Sequence, residues 1–445
     1  ARKDAGADAW KGNSVKIDAD RTEFVGYTDF DCDAKILAIV NNDGELVDML
    51  GAGESGTVVL DKTPFYAQSG GQVGDSGVIK NGEDNAFIVA DTAKNADTIY
   101  LHKGEVSRGI ISVGDSVFAS INGERRKSIM RNHTAAHLLQ AALRQVLGTH
   151  VEQAGQLVNE TEVRFDFTHF NPMTAREIAE VEMLVNKFIL SASPVTMQEM
   201  PIEEAKMGAM MLFGEKYGDI VRVVKAGDFS TEFCGGTHVA NSGEIGMFKI
   251  VSEASVAAGV RRITAYTGLG SLAYLNLNEM AVKAVASILK TSENEVEERT
   301  QAVISDNKEM EKEIQALNAE ITKLKSADMF SNPIIVDGLE LYIAKIEGTT
   351  PDSLRSMGDD LKNKGDNVVA LIAGVNGEKA NLVAVCGKEA IAKGVKAGDL
   401  VREIAKMAGG GGGGRPDSAM AGAKDISKLD SAISAVEDTV KSLIK

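Results

Sequence analysis

Two pairs of metal-binding side chains stand far apart in this sequence. His133 and His137 are spaced i and i+4, and Cys234 and His238 bracket two glycines. Side chains at i and i+4 of a helix project from one face, so the two histidines can bind one ion. The glycines allow a tight loop that turns Cys234 and His238 inward. Three imidazoles and one thiolate suit Zn²⁺, and we therefore predict one zinc ion bound by these four residues.

Chance is a poor explanation for this set, because the chain has only 6 histidines and 3 cysteines. A metalloprotease is a poor alternative, since Thr134 stands where an H-E-x-x-H motif needs its glutamate. Four protein ligands are typical of a structural zinc, whereas a catalytic zinc keeps one position for water. The residues alone leave both roles open.

Two glycine-rich segments are candidates for ligand-binding loops. For Pro64–Asp75, local chemistry favours a hairpin connection over a ligand-binding loop. For Gly409–Gly414, a P-loop is excluded because the Lys-Ser/Thr ending is missing. A flexible linker stays open. The interpretation we favour is a loop of exposed backbone N–H groups which, with Arg415, binds phosphate oxygens.

The elements that must position the metal ligands can be outlined from the sequence. Short apolar segments separated by Asn-Gly-type turns over residues 22–121 predict a small β-barrel. A helix from about Lys127 to Leu147 would carry the two histidines. Residues 126–270 mix helices with strands and contain both ligand pairs, which predicts an α+β core.

The remaining residues predict a helical arm and a final domain. Residues 271–330 are helical, with an apolar heptad seam that fits equally a two-helix arm packed on itself and an intermolecular coiled coil. Residues 331–445 alternate strand and helix, which predicts a compact α/β domain. The apolar stripe of its last helix is expected to pack on its own sheet, with a dimer seam as the alternative.

Composition restricts the class of protein. The chain is 44% hydrophobic and 25% charged, as in ordinary globular proteins, and no apolar segment reaches the roughly 20 residues of a membrane span. Its widely spaced cysteines indicate a reducing compartment, so we expect a cytoplasmic protein with no membrane partner. A net charge of −16 opposes nucleic-acid binding over the whole surface. Residues 331–445 are nearly neutral and are therefore the least repellent to RNA.

Seven motifs, taken together and in order, resemble the C-terminal half of alanyl-tRNA synthetase across essentially the whole chain. They are Thr63–Asp75, Arg131–Leu139, His150–Gln153, Arg164–Phe167, Glu232–Val239, Ala257–Arg262 and Gly409–Asp417. The resemblance implies a multidomain α+β protein. Its expected parts are a tail of an upstream tRNA-recognition domain (1–20), a β-barrel (21–125), a zinc-binding editing core (126–270), a helical or coiled-coil arm (271–330) and a C-terminal tRNA-binding α/β domain (331–445).

The resemblance also implies an activity, namely zinc-dependent hydrolysis of tRNA-Ala mischarged with serine or glycine. The family's catalytic domain, which uses ATP to attach alanine, lies upstream and is expected to be absent here, since no class II signature is visible. The start at Ala1 fits a fragment and fits equally removal of an initiator Met. The partner implied is tRNA-Ala. A homo-oligomer through the arm or the C-terminal domain is the alternative to apolar seams that pack within one chain. The implied catalytic residues are Gln153, Cys234 and His238, and the implied tRNA-binding residues are Arg261, Arg262, Gly411, Gly412 and Arg415.

Three positions depart from the family pattern. Ala136 stands where the family has Thr, Gln156 where it has a small hydroxyl residue, and Gln68 where it has Glu. A hydroxyl can recognise serine, so the first two departures bear on substrate discrimination. Two alternatives therefore stay beside the editing portion of a synthetase: a free-standing trans-editing deacylase, and an inactive tRNA-binding or oligomerisation module with structural zinc.

Overall fold

The structure, a computed structural model, describes residues 21–95, 99–210, 218–377 and 379–445. The predicted tail, residues 1–20, lies outside this part of the chain. Contacts divide the chain into two compact units, residues 1–284 and 285–445. Among the described residues, no helix is both long and apolar enough to cross a membrane.

The first unit begins with the expected barrel. Its strands are β1 (Glu23–Phe24), β2 (Asp31–Asn41), β3 (Leu46–Val47), β4 (Met49–Gly51), β5 (Ser55–Leu60), β6 (Lys62–Thr63), β7 (Gly77–Asn81), β8 (Asn85–Asn95), β9 (Ile99–Arg108), β10 (Ile110–Ser112) and β11 (Ser116–Ile121). The main sheet runs β11-β7-β8-β9-β5-β2-β3, and β11 also pairs with β2. That pairing closes six strands into a barrel filled by side chains such as Ile39, Phe65 and Phe87.

An α+β core follows, as predicted. Its elements are α1 (Gly123–Leu147), β12 (Gln153–Val158), β13 (Val163–Thr168), α2 (Ala175–Leu190), β14 (Val195–Pro201), α3 (Ile202–Ala205), β15 (Ile220–Ala226), β16 (Ser230–Phe233), β17 (Phe248–Ala257) and β18 (Val260–Thr267). One antiparallel sheet has the order β12-β13-β18-β17, and a second has the order β14-β15-β16. Helices α1 and α2 share an apolar core with these strands, which holds α1 rigidly in place.

Helix α1 starts earlier than the sequence pattern indicates, at Gly123 rather than Lys127. The Asn122 side chain accepts a hydrogen bond from the Arg125 N–H at 3.1 Å and so caps the helix. Gly123 is a poor helix former and masks this first turn in the sequence. The other end is as expected, with Gly148 following Leu147 at a φ of 115°.

A buried ion pair joins α1 to the barrel. Arg126 is 1% exposed, and its guanidinium forms an ion pair with the carboxylate of Asp75. The same guanidinium donates to the carbonyls of Gly26 at 2.6 Å and Pro64 at 3.0 Å. Because each charged group is paired and hydrogen-bonded, this contact fixes the helix that carries His133 and His137 against the barrel.

Two long helices, α4 (Gly268–Leu289) and α5 (Val296–Met329), form the predicted helical segment. Apolar side chains of the expected seam on α5 are exposed, among them Met310 at 54%, Ile314 at 58% and Leu317 at 50%. The helices are confirmed, whereas the two-helix arm packed on itself and the intermolecular coiled coil both stay predictions.

The second unit ends in the α/β domain. Its elements are β19 (Ile334–Val336), β20 (Leu339–Glu347), α6 (Pro351–Lys362), β21 (Val368–Asn376), β22 (Lys379–Cys386), α7 (Lys388–Ala392), α8 (Ala397–Met407), β23 (Gly411–Gly414), β24 (Ser418–Ala423), α9 (Leu429–Ser434) and α10 (Val436–Leu443). The sheet order is β19-β20-β21-β22-β24-β23, with β20 and β21 parallel. Separate apolar clusters cover the sheet's two faces, one containing α6 and the other α8, α9 and α10.

Two details of this domain bear on the sequence predictions. The last apolar stripe packs on its own sheet, with Leu429, Val436 and Val440 fully buried, although a break at Ala435 divides the helix in two. The expected loop at Gly409–Gly414 is wrong in part, because Gly411–Gly414 form an edge strand paired with β24. Glycine carries no side chain to reveal strand alternation, and a Cβ at Gly412 would lie 2.5 Å from Cα of Ala421.

Candidate metal centre

The fold brings together the four residues expected to bind a metal. His133 and His137 lie on the buried face of α1, while Cys234 directly follows β16 and begins the loop that ends at His238. One ligand atom from each residue lies within 4.8 Å of the other three. The three histidines are buried and Cys234 is half-buried. The fold thus joins two pairs of ligands into one compact donor set, although 97 positions separate His137 from Cys234 in the sequence.

Two distances within the cluster fit tetrahedral coordination of a zinc ion. Sγ of Cys234 lies 3.4 Å from Nε2 of His133 and 3.3 Å from Nε2 of His238. Zn–N bonds of about 2.0 Å and Zn–S bonds of about 2.3 Å place tetrahedral donors roughly 3.3–3.6 Å apart. The donor types and their spacing therefore fit one zinc ion held by His133, His137, Cys234 and His238.

A polar residue lies next to Nδ1 of each imidazole, and for His133 and His238 the two are within hydrogen-bond distance. Nδ1 of His133 lies 2.7 Å from Oε1 of Gln72, and Nδ1 of His238 lies 3.1 Å from Oγ1 of Thr134. Nδ1 of His137 lies 3.4 Å from Oε2 of Glu232, at ion-pair distance but without hydrogen-bond geometry. Such outer contacts orient metal-binding histidines and fix their tautomers.

Electrostatics favour the metal-binding forms of Cys234 and His238 but not that of His137. Burial alone would raise the pKa of the Cys234 thiol, but the neighbouring imidazoles, His133 first, outweigh burial and hold this pKa well below its usual range. Burial, together with His133, lowers the pKa of His238 to about 3, so its ring is neutral near pH 7. Burial alone would lower the pKa of His137, but Glu232 and Cys234 raise it to about 9. A metal ion must therefore displace a proton from His137.

The loop that carries Cys234 is held by backbone contacts. The Gly236 N–H donates to Sγ of Cys234 at 3.4 Å. Arg222 donates to the carbonyls of Cys234 at 3.0 Å and Gly236 at 2.7 Å. Its guanidinium also stacks 4.1 Å from the ring centre of Tyr27, whose hydroxyl donates to the Gly235 carbonyl at 2.8 Å. These contacts fix the loop around Cys234.

The other residues predicted near the reaction lie on β12 and α1. Gln153 is the first residue of β12, half-buried and paired with Phe167 on β13. Gln156 donates from Nε2 to the Gly70 carbonyl at 2.6 Å, so its amide contacts the barrel. Ala136 is buried in the apolar core of the domain. The catalytic role of Gln153 stays a prediction.

Five residues are predicted to bind tRNA, and each of the three arginines among them lies near a carboxylate. Arg261 forms an ion pair with Glu253, and Arg262 pairs with Asp166 at 2.6 Å. They are neighbours on β18, so their side chains leave opposite faces of the sheet. Gly411 and Gly412 lie on the edge strand β23, and the Arg415 side chain beyond it is 78% exposed, with Nε 3.3 Å from Oδ1 of Asp417. A role of these residues in binding tRNA stays a prediction.

Sequence reasoning missed the residues behind the ligands. Gln72, Thr134 and Glu232 were not selected, although Thr134 lies between the two histidines and Glu232 two residues before Cys234. For Thr134 and Glu232, proximity to the ligands in sequence is a usable signal. Gln72 gave no such signal, because its position depends on how the barrel meets α1.

Three family profiles match the chain. They are described as tRNA synthetases class II (A) over residues 3–125, threonyl and alanyl tRNA synthetase second additional domain over residues 221–264, and DHHA1 domain over residues 338–442. The second matched segment contains Cys234 and His238, and the third covers most of the C-terminal α/β domain.

Alanine–tRNA ligases are similar to this chain along its whole length. The protein from Alkaliphilus oremlandii is 45% identical over 447 residues, which cover 100% of this chain and 50% of the relative. The Bacillus subtilis protein is 43% identical, with the same two coverages. A solved C-Ala domain of Aquifex aeolicus alanyl-tRNA synthetase is 32% identical, covers 24% of this chain and 97% of its own, and has a TM-score of 0.23.

The chain therefore belongs to the alanyl-tRNA synthetase family. It spans about half the length of the curated relatives it matches.

Proposed function

We propose that this chain is the editing and tRNA-binding portion of an alanyl-tRNA synthetase, and that it hydrolyses serine or glycine from mischarged tRNA-Ala. The observation that carries this proposal is the buried cluster of His133, His137, Cys234 and His238, whose ligand atoms lie within 4.8 Å of one another. The match of residues 221–264 to the additional domain of threonyl and alanyl tRNA synthetases supports an editing role. Attachment of alanine with ATP is proposed for the whole protein.

The reaction is attack of water on the ester that joins the amino acid to the terminal ribose. Zinc bound here would supply a Lewis acid, able to acidify water or to hold a substrate amine or hydroxyl. The chain's own residues define where substrate enters. Cys234 is the half-buried member of the cluster, and the next residue, Gly235, is exposed, so the cluster meets solvent on this side. Gln153 is proposed to line the pocket beside it.

The tRNA is proposed to bind the C-terminal domain, residues 331–445. Strand β23 consists of glycines at the sheet's edge, so a nucleic-acid backbone can approach its main chain closely. Arg415 is exposed at the end of this strand. Beside the turn that follows β23, a cleft of about 490 Å³ is lined by Lys362, Lys388 and Asp417 among others. Arg261 and Arg262 are proposed to contact phosphate in the first unit. There a phosphate group would first have to replace the carboxylate partner of each arginine.

The proposed division of labour follows the domains predicted from sequence. Residues 21–125 form the barrel, 126–270 the editing core, 271–330 the arm and 331–445 the tRNA-binding domain. We further propose that the exposed seam of α5 supports a homo-oligomer and that the protein acts in the cytoplasm.

A deacylation assay tests the proposed activity. The purified, zinc-loaded chain is expected to release serine from Ser-tRNA-Ala and glycine from Gly-tRNA-Ala, and to spare Ala-tRNA-Ala. Equal hydrolysis of all three would contradict selective editing, and no hydrolysis would contradict editing altogether.

A structural zinc is the second candidate role. It is favoured by one observation, namely that four protein ligands form a closed set. Metal removal separates the two roles. A structural ion predicts that metal-free protein unfolds at lower temperature, with activity following the folded fraction. A reacting site predicts loss of activity while the metal-free chain remains folded.

A further inference from the structure

The glycine-rich segment of the barrel ends in a tight turn from Ser69 to Gln72. The Ser69 N–H donates to the Gln72 carbonyl at 3.1 Å, and the Gln72 N–H donates back to the Ser69 carbonyl at 3.0 Å. Gly70 and Gly71 between them have φ values of 57° and 85°, which side-chain-bearing residues rarely adopt. The glycines are therefore required by the turn itself.

This turn docks on strand β12 of the neighbouring core. The Val158 N–H donates to the Gly71 carbonyl at 2.7 Å, and the Val73 N–H donates to the Val158 carbonyl at 3.1 Å. A Cβ at Gly71 would lie 2.4 Å from Cγ of Gln156, so the turn and strand β12 approach each other as closely as glycine permits. The turn is thus held in place on the core domain.

The hydrogen bonds of Gln72 fix the orientation of its amide. The Thr237 N–H lies 2.9 Å from Oε1 of Gln72, and Nε2 of Gln72 lies 2.9 Å from Oγ1 of Thr237. Because a backbone N–H can only donate, the oxygen of the amide must face Thr237 N. Gln72 is 0% exposed, so bulk solvent cannot satisfy the alternative orientation.

This orientation determines the tautomer of His133. The same oxygen of Gln72 lies 2.7 Å from Nδ1 of His133 and can only accept, so Nδ1 must carry the hydrogen. Nε2 then presents its lone pair toward Cys234, whose Sγ lies 3.4 Å away. That is the form in which an imidazole binds a metal ion.

We propose that Gln72 is a positioning residue of the metal centre, which holds His133 in the Nδ1–H tautomer from the barrel side. The barrel turn is then part of the metal site, and barrel and core act as one functional unit. The inference rests on the proposed metal centre. Loss of a comparable outer contact lowers metal affinity by about 10–100-fold in other proteins.

Three variants of the full chain test this role. Gln72→Leu removes both polar atoms at similar size, whereas Gln72→Glu keeps an acceptor for His133 and Thr237 N. Gln156→Ala is the matched control, because it loses a turn contact without touching His133. Zinc affinity is measured by competition with a chelator, and ligand geometry by the visible absorption of the Co²⁺-loaded protein.

We expect Gln72→Leu to bind zinc about 10–100-fold more weakly with an altered Co²⁺ spectrum, and Gln72→Glu and Gln156→Ala to stay close to wild type. Wild-type affinity and spectrum in Gln72→Leu would overturn the role of Gln72 alone. Failure of the wild-type chain to bind either metal would overturn the proposed metal centre as well. Nitrogen NMR of the metal-free wild type gives a test that does not depend on variant folding: an Nε2–H tautomer at His133 would contradict the proposal.

Discussion

Gly236 passes so close to His133 that a Cβ at position 236 would lie 2.1 Å from Cε1 of the ring and 2.4 Å from Nδ1. The neighbouring Gly235 has open space at the same point, with nothing within 4 Å. The two glycines of the Cys-Gly-Gly-Thr-His segment therefore have different roles. Gly236 permits the imidazole and the loop to approach, whereas Gly235 is exposed.

This difference predicts opposite outcomes for two alanine variants. Gly236→Ala should push the His133 ring out of the cluster and lower zinc affinity by at least about tenfold, as loss of ligand orientation does. Gly235→Ala should bind zinc like wild type. Chelator competition on both proteins measures this, and equal affinities would show that the packing of Gly236 against His133 does not position the ring.

The buried ion pair between Arg126 and Asp75 predicts a large loss of stability on removal of one partner. Arg126→Met leaves the Asp75 carboxylate buried without its counter-ion, which should lower the free energy of unfolding by about 3–5 kcal/mol. Lys127→Met is the control, since Lys127 pairs with Glu124 on the exposed side of the same turn. Urea unfolding compares the two. If Arg126→Met lowers the free energy of unfolding as little as the control does, the buried ion pair does not hold α1 against the barrel.

The barrel should lose stability in acid through His102. Its Nδ1 donates to the Val58 carbonyl at 2.9 Å, and its Nε2 accepts from the Thr63 hydroxyl at 2.7 Å, so the buried ring is neutral. Burial lowers the pKa of His102 from 6.5 to about 4. Protons then bind the unfolded chain more strongly, so the stability is complete above pH 6.5 and falls as the pH drops toward 4.

The loss amounts to about 3 kcal/mol at 1.36 kcal/mol per pKa unit. His102→Gln cannot titrate and should lack this component of the pH dependence. Urea unfolding of both proteins from pH 7 to 4 measures the difference. Parallel pH profiles for wild type and variant would show that His102 is not the group responsible.

The exposed Arg415 predicts a measurable phosphate contact. Arg415→Ala should weaken binding of tRNA-Ala and reduce the slope of log affinity against log salt by about 1. Lys441→Ala serves as control, because Lys441 pairs with Glu437 on α10 at the far end of the domain's sequence. Filter binding at several salt concentrations gives both quantities. An unchanged slope in Arg415→Ala would remove this residue from the proposed tRNA surface.

The ligand set was accessible from sequence for a physical reason. Helical spacing at His133 and His137 and a glycine loop at Cys234 and His238 each constrain two side chains locally, so only the meeting of the pairs required the fold. Strand alternation and capping similarly revealed the barrel and most helices. Residue spacing, strand alternation and capping residues can all be recognised in a single sequence, because each depends only on residues close together in the chain.

Other features depend on contacts between distant segments and were therefore not predictable. Gln72 reaches His133 across 61 residues, and only the closed barrel and its docked turn bring them together. The ion pairs of Arg261 and Arg262 were not predicted, because their partners, Glu253 and Asp166, are defined by strand register. Gly411–Gly414 was predicted as a loop because glycines show no alternation, yet pairing with β24 makes them a strand.

Single-turnover hydrolysis of Ser-tRNA-Ala by metal-free and zinc-reconstituted chain tests the central claim most directly. Circular dichroism establishes that both forms are folded, and Cys234→Ala serves as the variant that cannot complete the ligand set. We expect one zinc ion per chain, hydrolysis that returns with zinc, and no hydrolysis by folded Cys234→Ala. Equal rates with and without zinc in folded protein, or full activity in Cys234→Ala, would contradict zinc-dependent editing.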